Sequence, residues 1–202
     1  MADSGQHRYG NVTRLFHWVI ALMVFGTIPV GLAMTSQGFE SIGDALYVAH
    51  KGIGSILLVL VAARVLWRLT HPAPPFPSHM PELEKRLASL THTALYVLLV
   101  VMVISGYVRT VGDNFPIELL ELLGVPPLIP HMPGTARVMG VLHKFTAFAL
   151  TALIAVHITA AMQHSLILRD GLMSRIWPPV GGGPVDADEG SATPGSSDEG
   201  AG

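Results

Sequence analysis

The chain has no cysteine among its 202 residues. That absence excludes haem attachment through C-x-x-C-H, cysteine-ligated iron–sulfur clusters, thiol nucleophiles and disulfides. Charge is also scarce: Asp, Glu, Lys and Arg make up 13% of the chain, against about a quarter in an ordinary soluble domain. The basic residues form neither a run nor a stripe, so nucleic acid is not an expected partner. Convincing internal repeats are missing as well. The formal net charge of −2 conceals an asymmetry, because five acids fall within the last 17 residues.

What the chain has in abundance is apolar sequence. Half of it is hydrophobic and the mean hydropathy is +0.50. Four stretches are long enough to cross a hydrocarbon core of ~30 Å, which takes about 20 helical residues. They run roughly over Leu15–Met34, Leu46–Leu69, Leu90–Val111 and Val138–His164. Lipid cannot satisfy free backbone groups, so each must be a helix. The expected fold class is an all-α membrane protein, a four-transmembrane-helix bundle. Residues 1–14 form a tail, 15–177 the membrane domain, and 178–202 a disordered Gly/Ser-rich acidic tail. The first stretch is too long for the apolar region of a cleaved signal peptide.

The connections are polar or proline-rich. His71–Pro77 (HPAPPFP) leaves the second stretch as a stiff segment. Phe115–Leu123 alternates acids with leucines and is expected to form a short helix on the outer membrane surface. Lys and Arg set the orientation. Arg8, Arg14, Arg64, Arg68, Lys85, Arg86, Arg169 and Arg175 share one side, and Lys51, Arg109, Arg137 and Lys144 the other. Eight against four places both termini in the cytoplasm.

Five histidines lie inside or at the ends of these apolar stretches: His17, His50, His92, His143 and His157. Imidazole is costly in lipid, so an intramembrane histidine points to a function. Alternating helix direction sorts them into two layers. His17, His92 and His157 fall in the cytoplasmic half, His50 and His143 in the outer half. The fourth stretch is the ruler. His143 and His157 are 14 residues apart, four turns less ~40°, so both face one way, with ~21 Å of rise between them. One helix thus offers an imidazole to each of two sites. Two b haems, each with two axial histidines, fit this pattern best, and bis-imidazole ligation favours electron transfer over oxygen binding. Helix 1 completes the inner site through His17 and helix 2 the outer site through His50.

His92 is surplus in this scheme. It is either the true partner of His157 or a residue that touches a propionate or quinone. Arg64 and Arg68 either snorkel to the surface or pair with propionates of the inner haem. Lys51 and Lys144 are either interfacial anchors or, with Arg109 and Arg137, a positive rim over the outer haem. Gly52, Gly54 and Gly140 lie near the proposed ligands and allow close approach of a helix or macrocycle. His7, His71, His79, His131 and His164 are expected to be solvated, with His71 and His164 in reach of a propionate.

The residues collected so far resemble the bacterial cytochrome b561 family, within the di-haem membrane cytochromes that include hydrogenase b-type subunits. The matching pieces are R-x-x-H-W at Arg14–Trp18, AHKGIG at Ala49–Gly54 and AARVLWRLTHPAPP at Ala62–Pro75. The LTHTALY segment around His92 and the His143/His157 spacing complete the match, which covers about residues 8–177. The resemblance implies a bundle in the bacterial inner membrane enclosing two b haems, with His17 and His157 binding the cytoplasmic haem and His50 and His143 the periplasmic one. It implies electron transfer between a periplasmic donor and the quinone pool, with ubiquinone as acceptor. One branch resembles a superoxide:ubiquinone oxidoreductase. A subunit relaying electrons from a partner dehydrogenase or hydrogenase is the alternative within the same chemistry, and a homodimer is compatible with either. A histidine-based metal or proton transporter is the alternative of another class; intramembrane acids and a broken inverted repeat, which it would call for, are missing.

Overall fold

The computed structural model describes residues 8–78 and 80–178. His7, His79 and the expected acidic tail beyond Pro178 lie outside the described residues. Helices dominate: α1 (Asn11–Ala33), α2 (Gly43–Thr70), α3 (Glu82–Gly112), the short α4 (Glu118–Leu122) and α5 (Pro133–Met162). Four of them, α1, α2, α3 and α5, are long and apolar enough to cross a membrane. The protein is an all-helical membrane protein with four spans.

The helices outrun the apolar stretches that announce them. α3 starts at Glu82 rather than near Leu90. Its added turns are charged, with Glu82 and Glu84 in the first turn and Lys85 and Arg86 within 3.8 and 3.6 Å of the Glu82 carboxylate. Acids at a helix N-terminus and i,i+3 or i,i+4 pairs stabilise helix without adding hydropathy. α5 opens on Pro133, whose fixed φ and missing N–H suit a first helical position. It continues past Met162 as a π-helical turn, Gln163–Leu168, and stops at Arg169, which is left-handed with φ 50°. The acid–leucine alternation after α3 yields a helix of one turn, α4, packed against α2.

Packing runs in chain order: α1 on α2, α2 on α3, and α3 on α5. The α3–α5 contact is close because Gly112 meets Ala136, where an added Cβ would come within 3.2 Å. α5 makes almost no close backbone approach to α1 or α2. A small apolar core ties the first three spans at mid-height, built from Ile20, Val24, Leu57, Val61 and Val103, with Ile154 of α5 against it. Large apolar side chains such as Leu22, Phe25, Val59, Leu66 and Phe145 face outward. Lipid is as apolar as they are, so helix association here depends on van der Waals fit and polar bonds rather than hydrophobic burial.

At the end of the bundle that carries both termini, three segments are tied together. Arg14 is only 2% exposed, and its guanidinium donates to the Pro178 carbonyl at 2.9 Å and to the Asn11 side chain. Arg8 donates to the carbonyls of Ser174 (3.0 Å) and Trp177 (2.7 Å), and the Trp18 indole to that of Ile176 (3.1 Å). Arg175, also buried, donates to the Pro75 carbonyl at 2.7 Å, bringing in the proline-rich segment. Arg14 and Arg175, counted above as orientation charges, are therefore also interior clamps. A buried cation is tolerable when its donors find acceptors.

Candidate functional site

Each long helix brings two small or nitrogen-bearing residues to two levels, and every pair is separated by 14 positions: His17 and Gly31 on α1, His50 and Arg64 on α2, His92 and Gly106 on α3, His143 and His157 on α5. That separation returns each pair to nearly the same helix face, ~21 Å apart. The termini side thus collects His17, Arg64, His92 and His157. The far side collects Gly31, His50, Gly106 and His143.

On the far side the imidazoles of His50 and His143 face each other with ring centroids 6.2 Å apart and planes at 83°. On the termini side His17 and His157 stand 6.4 Å apart at 70°. A metal held by two opposed imidazole nitrogens at ~2 Å each puts the centroids ~6 Å apart. Both pairs have that separation. Both also bridge α5 to a helix it otherwise barely approaches, α2 in one case and α1 in the other. The space a planar cofactor needs therefore lies where backbone packing is absent. His92 is different: its ring centroid lies 5.4 Å from that of His157, edge-on, which is direct ring contact with no room for a metal between.

The far-side pair opens into a cavity of ≈ 550 Å³, lined by His50, His143, Tyr47, Gly54, Met102 and Arg109 among others. A Cβ added at Gly54 would meet nothing within 4 Å. At Gly106 it would lie 2.9 Å from His143 Cε1, and at Gly31 3.0 Å from His50 Cε1. Gly31 and Gly106 are thus the notches in which the two far-side rings sit. His143 Nδ1 lies 3.1 Å from the Met102 carbonyl, to which an Nδ1–H donates. That bond leaves Nε2 as a lone pair, the arrangement of a metal-ligating histidine. His50 Nδ1 is buried against the Thr27 backbone. The cavity, the ring spacing and this donor chemistry fit a b haem.

On the termini side an Arg64 guanidinium nitrogen lies 3.3 Å from His17 Nδ1, and its Nε donates to the Tyr96 hydroxyl at 3.0 Å. Arginine only donates, so Nδ1 is the acceptor here. Arg64 turns inward instead of snorkelling to the surface. Arg68 sits one turn later, at the helix end, 3.4 Å from the His71 carbonyl.

The remaining expected residues scatter. Lys51 reaches the cavity, but its ammonium is held by Glu118 Oε1 and the Pro116 carbonyl, both at 2.7 Å. The Lys51 hydrogen bond is the main reason the Glu118 carboxyl titrates below the usual carboxylate range. Arg109 also lines the cavity. Lys144 and Arg137 are exposed and do not line it; Lys144 follows His143 by one residue, which turns it ~100° around the helix. The positive rim is therefore half as large as the sequence suggested, and Glu118 neutralises part of it. Gly140 serves Arg109, whose Cδ would be 3.3 Å from an added Cβ, and Gly52 faces Leu119 of α4. His71 stacks on Trp67 at 3.7 Å, His164 Nδ1 pairs with Asp170 at 2.5 Å, and His131 is exposed.

Sequence reasoning passed over Gly31, Gly106 and the register of Arg64. The signal was present: applying the 14-residue ruler of α5 to the other three helices finds all three.

The family model described as prokaryotic cytochrome b561 matches residues 8–179. Among curated relatives, the chain is 33% identical over 174 residues to cytochrome b561 homolog 2 of Escherichia coli (strain K12), covering 84% of this chain and 90% of that protein. It is 25% identical over 172 residues to the probable superoxide oxidase CybB of Yersinia pestis, covering 80% and 91%. It is 24% identical over 176 residues to cytochrome b561 homolog 1 of the same E. coli strain, covering 85% and 98%.

Proposed function

This chain belongs to the prokaryotic cytochrome b561 family, and from that premise we propose that it is a di-haem cytochrome of the bacterial inner membrane that passes electrons from a periplasmic donor to ubiquinone. Membership makes it a b-type membrane cytochrome of electron transport; the number of haems, the ligands, the donor, the acceptor and the orientation are our reading.

His17 and His157 hold one haem and His50 and His143 the other. The observation that carries this is the pair of ring separations, 6.4 and 6.2 Å, each spanning from α5 to a helix it does not pack against. Bound b haem supplies one-electron redox chemistry. The chain's own groups do the rest. The Met102 carbonyl orients His143. The apolar core at mid-height keeps water and ions from the space between the levels. Arg64 is placed to pair with a propionate of the termini-side haem, which frees His17 Nδ1. His92, in contact with His157 but not opposed to it, borders that haem without ligating its iron. The termini side is cytoplasmic by its excess of Lys and Arg. Superoxide is the donor to test first, because a relative is named a probable superoxide oxidase.

The test is a reduced-minus-oxidised spectrum of purified protein with a pyridine haemochrome count, followed by quinone reduction under a superoxide flux in proteoliposomes. Two low-spin b haems per chain and superoxide-dependent quinol formation are expected. A single haem overturns the ligand assignment, and quinone that stays oxidised overturns the donor.

A further inference from the structure

Ser105 is 0% exposed, in the C-terminal half of α3 and one position before the Gly106 notch. Its Oγ lies 3.1 Å from the Met102 carbonyl and 3.3 Å from His143 Nδ1. His143 Nδ1 is in turn 3.1 Å from the same carbonyl. The three atoms close a triangle. A serine that bonds back to the carbonyl three residues earlier adds nothing to its own helix and slightly destabilises it.

We infer that Ser105 is a positioning residue for the far-side haem, fixing the plane and tautomer of His143 through the Met102 carbonyl. The inference rests on the di-haem reading above. The carbonyl has two acceptor directions. The helix's own Gly106 N–H takes one; the serine O–H and the His143 Nδ1–H converge on the other, with the serine oxygen close enough to His143 Nδ1 to accept from it as well. Between them they leave the imidazole one orientation about its Cβ–Cγ bond in which Nδ1–H is satisfied and Nε2 points into the cavity. Met102 and Ser105 both belong to α3, whereas His143 belongs to α5. The device therefore works only while those two helices keep their register, which the Gly112–Ala136 contact secures.

The test is Ser105→Ala in full-length, haem-loaded protein, read by low-temperature EPR and by the rate of haem transfer to apomyoglobin. Two low-spin signals are expected in the parent, and His143→Ala identifies the far-side one by removing it. Ser105→Ala is expected to shift the g-value of that signal alone, and to speed loss of that haem ~10-fold, the low end of what removing a hydrogen-bond partner of a metal ligand does. Ser105→Thr, which keeps the hydroxyl, is expected to restore the signal. Unmoved signals in Ser105→Ala, or a shift of the other haem, would overturn the role of Ser105 while leaving the di-haem reading intact. Parent protein without haem would overturn both. Should Ser105→Ala fail to fold, Ser105→Cys carries the same readout: a shifted far-side signal supports the role and an unmoved one overturns it.

Discussion

The two histidine levels of this protein are built from the same four helices by opposite means. On the far side, α1 and α3 contribute glycines, and the rings of His50 and His143 settle into the notches these leave. On the termini side the same two helices contribute His17 and His92, and α2 contributes Arg64 where it offers His50 at the other level. One level is small, with an imidazole clamped by a carbonyl; the other is crowded with nitrogen and carries a half-buried cation next to His17. The difference teaches that a shared 14-residue register fixes where a cofactor can sit, while the residues in that register fix its electrostatics. On the proposed assignment, a haem beside Arg64 would be stabilised on reduction by that cation, while on the far side Arg109 lines the cavity.

The comparison is broken most severely by removing one ligand. His143→Ala is expected to lose the far-side haem and keep the other, and His157→Ala to do the reverse, each leaving one haem equivalent by pyridine haemochrome. Loss of both from either variant would mean that the levels are not independent. Next in size, Gly106→Ala sets a methyl 2.9 Å from the His143 ring. Overpacking of this kind costs ~1–3 kcal/mol, so lower far-side haem occupancy and a lower Tm are expected. Gly31→Ala, at 3.0 Å from His50, is the matching variant.

Arg64→Leu sharpens the electrostatic half of the comparison. One half-buried charge at an effective dielectric of ~20 is worth on the order of 2 kcal/mol. The midpoint potential of the termini-side haem is expected to fall, with the far-side haem unmoved, in a spectroelectrochemical titration. The smallest effect belongs to Lys51 and Glu118. The Glu118 carboxyl is depressed by its bond to Lys51. Its contribution is therefore complete above the ordinary carboxylate range and lost as pH falls through its own lowered value. The pair is partly exposed, so the loss is under ~1 kcal/mol. Thermal melts of the parent should drop slightly more than those of Glu118→Gln on going from neutral to that acidic window.

Much of this was legible before any coordinates. Four apolar stretches forced four helices, because lipid allows nothing else, and the His143–His157 spacing forced two levels. The ends were less legible: the first turns of α3 are held by charge pairs, which hydropathy does not register. His92 stayed ambiguous because sequence position gives its level but not its rotation toward His157. Lys51 and Lys144 looked alike, each following a histidine by one residue. Only packing distinguishes them, since α4 folds back to meet Lys51 and nothing comparable reaches Lys144. The role of Ser105 depends on a contact between α3 and α5 that chain order does not reveal.

α5 supplies one imidazole to each level and follows the other three spanning helices in the chain. The ribosome therefore delivers it last of the four. Until it has entered the bilayer, α1 and α2 present His17 and His50 as isolated half-sites with nothing opposite them. On the proposed ligand assignment, cofactor insertion waits for the final helix, and both levels then become loadable at the same moment of biogenesis.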